Sequence, residues 1–493
     1  MFQRTRKLAV IAAAALAVAQ AGTCWAQAQT SAAPANNGAA QDVPAEIQAL
    51  RARLDQLEAQ QTEAKRVQEQ KETSDQVATD ADRHSSLMVD TSGFTGGFEE
   101  NRFVIRSADG NFSFRPWMHL QFRSVTLDRQ DFKNGNADSI DNGFELRRMR
   151  FGFDGNLFSP DFTYFFNWAT VRASGTANVT DASGAKIGTV SNNLGGAPLL
   201  EEAWFKYHLP GTDFSIKGGQ IKDPLLHDQI VSSRYQQSAE RSLTANVFAN
   251  GDAFTKGVTF IYDPKSWVRT EAGVTDGLRS ANTNFLDFPH TNAYDFGVAG
   301  RAEFKVMGRW QDYSQVGAVG TTEPLLVFGV GADYSERGHA NQTVGVADVM
   351  YADPSGLNLY AAAVDRYTNH NFGFASQSAA GASIAAPAAN VLDTATNEYS
   401  FLVQAGYLID KKWEPFGRWE YIHVAGTAAG SRNYFNDVTV GVNYYFVGHR
   451  AKLTAEVQYL PNGLPFDDTG NDVVTSSNGK GEFSGVVQFQ LLL

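Results

Sequence analysis

Basic side chains fall at one parity of a series of short alternating segments: Arg115, His119 and Arg123, then Arg148, Arg150, Lys206, Lys217, Arg269, Arg301, Lys305, Arg418 and Lys452. Arg234 and Arg241 stand in a long polar stretch between two such segments, and Lys256 follows it. Guanidinium and ammonium groups facing water in a confined space can replace part of an anion's hydration shell with their own donors. The plainer reading is that they pair with acids at the same parity, namely Glu202, Glu271, Glu303, Glu420 and Glu456. For any single strand residue the pairing is the expectation.

Catalysis needs a nucleophile or an activated water with a base and an orienting group. The histidines (His84, His119, His208, His227, His290, His339, His370, His423 and His449) are scattered, with no HExxH and no Gly-x-Ser-x-Gly elbow. His227-Asp228 reads as two solvated loop neighbours. No phosphate-binding glycine loop or EF-hand pattern occurs, so neither an enzyme nor a metal or other cofactor is expected.

The segments that must position these charges alternate residue by residue. Phe112, Phe114, Met118, Leu120 and Phe122 fall on one parity, and Ser113, Arg115, Trp117, His119, Gln121 and Arg123 on the other. Successive strand side chains point to opposite faces, so one face is apolar and the other wet. Sixteen such strands are expected near 111–123, 145–154, 162–172, 200–209, 213–222, 253–262, 267–275, 294–306, 325–334, 342–352, 357–366, 398–409, 412–424, 436–446, 450–460 and 482–493. A small hairpin through Phe103–Ser107 and the turn Ala108-Asp109-Gly110 should lead into the first. Arg147 is out of step: Met149, Phe151 and Phe153 share its parity on the apolar face. It must either snorkel to an interface or be re-aimed by a bulge. Tyr164, Phe166, Trp168, Trp413, Trp419 and Tyr421 fit interfacial aromatic girdles.

The N-terminus sets the compartment. Arg4, Arg6 and Lys7 precede an apolar run, Leu8 to Ala19, and Cys24-Trp25-Ala26 offers small residues for cleavage after Ala26. The run is too short for a spanning helix of roughly 20 residues. A lipidated Cys24 is the alternative. Cleavage removes the single cysteine, and with it disulfide and thiol chemistry. It also removes three positive charges and no negative ones, taking the net charge from −12 to −15 (−12 minus 3), which argues against nucleic acid as a partner. The mean hydropathy of −0.29 suggests a soluble protein, but alternating strands average their apolar half away. Residues 27–43 read as a disordered linker. Ile47, Leu50, Leu54 and Leu57 then give 44–72 a short coiled-coil helix, with Pro44 near its start. A second linker, 73–101, precedes the barrel region at 102–493.

Connections alternate between tight and long. Pro210-Gly211-Thr212, Asp263-Pro264-Lys265-Ser266, Asp353-Pro354-Ser355-Gly356, Asp410-Lys411 and Val447-Gly448-His449 are tight; 124–144, 173–199, 223–252, 276–293, 367–397, 425–435 and 461–481 are long and polar. Transmembrane barrels with short turns at one end and longer loops at the other have this rhythm. It breaks at 307–324, long for a turn, and at 335–341, short for a loop, so a strand could be misplaced there.

Aligned on that rhythm, the chain resembles the phosphate-selective porin O and P family over roughly residues 100–493. The resemblance is carried by Phe144 to Phe153 with its paired arginines, Asp161 to Trp168, Glu201 to Tyr207, Phe214 to Pro224, and Ala239 to Thr244. It implies an all-β transmembrane antiparallel barrel of about sixteen strands, a homotrimer, and a pore narrowed by the third loop. The chain departs from the family in two ways: it ends Phe489-Gln490-Leu491-Leu492-Leu493 without a final aromatic residue, and its inward bases are matched by acids where phosphate-selective members carry a dense basic ladder. On this basis Arg148, Arg150, Arg234 and Arg241 are expected to act on a permeating anion. Arg115, Arg123, Lys206, Lys217, Lys256, Arg301 and Lys305 complete the pore-lining candidates. The expected function is a passive diffusion channel in the Gram-negative outer membrane, with its N-terminal segment in the periplasm. Small hydrophilic solutes would pass, anions preferred and phosphate-type anions among them. The alternative is an adhesive or tethering barrel whose stalk contacts peptidoglycan.

Overall fold

The computed structural model describes residues 93–99, 102–129, 140–170, 175–180, 186–192, 198–249, 254–278, 296–337, 340–369, 395–424, 433–463 and 480–493. The expected signal peptide, linker 27–43 and coiled coil 44–72 lie outside these residues. Two compact units are present. Of the first, Gly93–Gly97 and Ile105–Ala108 are described; the Ala108 amide donates to Gly93 O at 2.9 Å and Thr95 Oγ1 to Arg106 O at 3.3 Å. The second comprises Phe98–Val104 and Asp109–Leu493.

Strands in chain order are β1 (Phe94–Glu99), β2 (Arg102–Ser107), β3 (Ser113–Arg129), β4 (Ile140–Leu157), β5 (Ser159–Thr170), β6 (Gly175–Thr180), β7 (Lys186–Asn192), β8 (Pro198–His208), β9 (Phe214–Ile221) and β10 (Thr255–Tyr262). They continue with β11 (Val268–Thr275), β12 (Phe296–Met307), β13 (Leu325–Arg337), β14 (Ala340–Ala352), β15 (Leu357–Asn369), β16 (Thr396–Tyr407), β17 (Trp413–His423), β18 (Tyr434–Val447), β19 (Ala451–Leu460) and β20 (Glu482–Leu492). β6 and β7 form a separate two-stranded ribbon. β3, β4, β5 and β8 to β20, sixteen strands in all, pair antiparallel with their sequence neighbours. β20 then pairs with β3, from Glu482 opposite Arg129 to Leu492 opposite His119. The sheet closes on itself and has no edge, so the ladder satisfies the backbone groups internally.

Each expected strand is present, and the two breaks in rhythm are real features of the chain. β13 and β14 meet across 338–339 alone, with Arg337 opposite Ala340. The long connection 308–324 is an ordered insertion with a 3₁₀ turn at Asp312–Ser314. Its Tyr313 and Val316 are buried, and the Val316 amide donates to Tyr235 O at 3.0 Å.

The outward parity is apolar: Phe122, Phe151, Phe205, Val258, Phe328 and Phe401 are among its exposed large side chains. Tyr164, expected in an aromatic girdle, is instead buried and donates to Ser113 O at 2.9 Å.

The interior is not uniformly wet. Between β9 and β10 the third loop carries two short helices, α1 (His227–Ile230) and α2 (Leu243–Phe248). Leu225, Leu226, Leu243, Val247 and Phe248 pack into one buried apolar cluster with Val344, Val346, Met350, Tyr360, Leu402, Ile422 and Phe435, inward residues of β14 to β18. The loop therefore fills that side of the barrel as a small core.

Candidate functional site: a latched loop and the cavity beside it

Inward acids and bases hold the loop from most of the circumference. Glu420 on β17 accepts from the Leu243 and Thr244 amides at 3.1 and 2.7 Å, satisfying the free N-terminal groups of α2, and Ser242 Oγ takes the Ala245 amide at 2.9 Å. Glu456 accepts from Ser238 Oγ and the Ala239 amide at 2.8 and 2.9 Å. Arg301, Arg366, Arg418 and Lys452 donate to the loop carbonyls of Leu225, Val247, Glu240 and Gln236. Glu420 and Glu456 were expected to brace bases across the wall: Glu420 does pair with Arg418 at 3.0 Å besides holding the loop, whereas the hydrogen bonds of Glu456 go to loop groups. Glu271 and Glu303 do pair as expected, with Lys217 at 2.5 Å and with Arg301 and Arg269 at 2.8 and 2.5 Å.

Two β-bulges supply the remaining latches. Gln121 lies opposite Arg148 and Phe122 opposite Leu146, leaving Arg147 as the extra residue on β4. The bulge turns it inward, where its guanidinium bonds Glu240 of the loop, with Nη2 to Oε2 at 2.9 Å. Arg148 reaches the same carboxylate at 2.7 Å and Arg123 at 2.6 Å, while Arg123 also bonds Glu145. Burial alone would raise the Glu240 pKa, but Arg147, Arg148 and Arg123 hold it far below the usual carboxylate range. On the next pair, Asn167 lies opposite Glu202 and Trp168 opposite Leu200, so Glu201 is the extra residue of β8. It too turns inward, accepting from Arg150 Nη2 at 2.7 Å and Asn167 Nδ2 at 2.9 Å.

The other candidates divide by partner. Arg115 pairs with Asp154 at 2.6 Å and Lys256 with Asp276 at 3.2 Å. Arg301 also grips Asp348 at 2.8 Å. Arg241 donates to the carbonyls of Asp228 and Val231 at 3.2 and 2.8 Å. Lys305 Nζ lies 5.3 Å from the Trp310 ring, and among the described residues neither it nor Lys206 has a carboxylate within salt-bridge distance.

Arg234 is the informative one. Its Nε donates to Ser232 Oγ at 3.1 Å, and its guanidinium carbon lies 4.3 Å from the Trp117 ring centroid. Among the described residues no carboxylate forms an ion pair with it. The side chain is half-buried, and burial lowers its pKa from the ordinary guanidinium value.

Arg234 lines a cavity of about 190 Å³ bounded by β3, β4, β5, β8, β9, β11 and the loop; the rings of Trp117, Phe165 and Trp204 and the carboxylates of Glu201, Glu202 and Glu271 line it too. Phe165 and Trp204 were not anticipated as site residues, nor was Glu240. The inward parity of Phe165 and Trp204 was readable, but the roles of all three depend on what stands opposite.

The family model of the phosphate-selective porin O and P matches residues 118–463 of the 493. No curated protein matches the chain in sequence. Among solved structures, an anion-selective porin from Comamonas acidovorans is similar at 9% identity, covering 78% of this chain and 100% of that one, with a TM-score of 0.49. The outer-membrane OmpT of Vibrio cholerae is similar at 11% identity, covering 78% and 98%, with a TM-score of 0.46. Likenesses this distant carry no argument; the closed barrel stands on its own strand registers.

Proposed function

The chain belongs to the phosphate-selective porin O and P family, and from that premise we propose that its channel is a passive diffusion pathway preferring small anions, phosphate-type anions among them. It is an outer-membrane barrel protein that forms a channel. The observation that carries the preference is Arg234, a half-buried cation on the cavity wall with no carboxylate paired to it among the described residues. A half-buried charge with no acid beside it attracts a passing anion for the time it stays.

The pairing pattern narrows the selectivity role. Arg148 and Arg150 act on an anion as held charges that also fix the loop, whereas Arg234 presents its charge directly. Arg115, Arg123, Lys217, Lys256 and Arg301, each beside an acid, contribute less field to the passage. Lys206 and Lys305 supply further positive potential along it.

The assembly is a homotrimer in outer-membrane lipid, the tight-turn end of the barrel facing the periplasm. The signal peptide 1–26 is removed, and 44–72 forms a short periplasmic coiled coil compatible with that trimer. Reversal potentials in a potassium chloride gradient test the anion preference. A cation-selective potential, or no conductance at all, would favour the tethering alternative.

A further inference from the structure

Three aromatic rings interrupt the polar inner wall in a continuous row. Trp117 on β3 lies opposite Gly152 on β4, and Gly152 lies opposite Asn167 on β5. A Cβ on Gly152 would sit 2.7 Å from Trp117 Cζ2, so the indole crosses β4 only because that position is glycine. It reaches Phe165 on β5, ring centroids 5.9 Å apart and planes 25° apart. Phe165 stacks in turn on Trp204 of β8, at 5.5 Å and 15°. Cations close both ends: Arg234 at 4.3 Å from Trp117 and Lys217 Nζ at 5.9 Å from Trp204. Trp117 Nε1 is buried and, among the described residues, finds no acceptor.

We infer that this row makes the cavity a binding subsite for a planar aromatic carboxylate, a proposal that rests on the anion-channel reading above and names a ligand class for it. A barrel does not need stacked rings facing water, since its apolar surface is satisfied by lipid; a row of flat faces matches a flat ring in offset stacking. Engineered apolar cavities of about 150 Å³ hold a benzene, so the 190 Å³ here suits a substituted ring. The Arg234 guanidinium supplies the donors for the carboxylate. A sugar acid would need hydroxyl partners besides a cation, and the uncharged polar groups of the lining are already engaged. Asn167 is bonded to Glu201 and to the Glu202 amide, Ser233 Oγ to Arg150, and Ser232 Oγ to Arg234.

The test is chloride current through the whole protein in planar bilayers, with graded additions of benzoate, cyclohexanecarboxylate (equal in charge and carbon number but not flat) and gluconate. Benzoate should interrupt the current at a concentration about tenfold below either of the others. The double variant Phe165→Leu with Trp204→Leu, checked for folding by heat-modifiable migration, should lose that difference. Equal block by benzoate and either competitor in the wild type, no block by any of them, or a difference that survives in the variant would overturn the proposal. The wild-type comparison stands alone should the variant fail to fold. The reversal potential without added organic anion reports separately on the anion reading, so the two failures are distinguishable.

Discussion

Arg147 stands one residue out of register on β4, and its guanidinium closes on both oxygens of Glu240 in the third loop. The bulge converts a residue of lipid-facing parity into a clamp on the constriction. Glu240 thereby becomes the point at which Arg123, Arg147 and Arg148 meet.

Replacing Glu240 with Gln should release those three charges. Losing one partner of a buried ion cluster costs about 3–5 kcal/mol, so the thermal midpoint of the folded band on gels should fall. The freed guanidinium groups should also move the reversal potential further toward anion preference. An unchanged midpoint would show that the loop is held without this cluster.

Acid stability follows from two loop groups acting in different windows. The folded pKa of Glu240 is depressed, so its contribution is complete above the unfolded carboxylate value and is lost only as pH falls through the much lower folded value. His227 is buried against Tyr313, ring centroids 3.9 Å apart, and its pKa is lowered from 6.5 to about 4. The unfolded chain takes up that proton first, so stability should decline from pH 6.5 to 4, by on the order of 3 kcal/mol in full. His227→Phe, which keeps the ring stack, should flatten denaturation midpoints measured across that window. A slope equal to that of the wild type would assign the acid sensitivity elsewhere.

At Gly152 an added Cβ would meet Phe166 O at 2.4 Å and the Trp117 ring at 2.7 Å. Gly152→Ala should therefore destabilise the barrel by about 1–3 kcal/mol and displace Trp117 from Phe165. Tryptophan fluorescence and the folded-band midpoint would register both effects, and a variant identical to wild type in each would refute the close approach.

The connection 308–324 reaches up to the loop through Tyr313, stacked on His227, and through the Val316 amide on Tyr235 O. Shortening it to a tight turn should leave the barrel closed but loosen the loop. Single-channel conductance should rise and become noisier, whereas unchanged traces would mean the insertion does not support the constriction.

The barrel was legible in the sequence because strand alternation and the sorting of loop lengths are local properties of the chain. The bulges at Arg147 and Glu201 are register properties, set by the partner strand, and one sequence segment does not contain them. Arg147 signalled trouble through its parity alone; Glu201 gave no such signal. The apolar interior was missed for a related reason. Val344, Val346, Leu402 and Ile422 face inward, and only the distant Leu225, Leu243 and Phe248 make that placement favourable. A sign was available in β14, where Val344, Val346, Val349 and Met350 are apolar on both parities. Likewise the acids at Glu420 and Glu456 were visible, and so was a base for Glu420 in Arg418, but the loop amides they also hold are partners that no charge pattern reveals.

The central claim is that Arg234, unpaired with acid among the described residues, makes the passage anion-preferring. It is tested most directly by the zero-current potential across a bilayer in a potassium chloride gradient, for wild type and Arg234→Ala. The account predicts an anion-selective potential in the wild type and a clear shift toward zero selectivity in the variant. A cation-selective wild type, or a variant with the same potential, would contradict it.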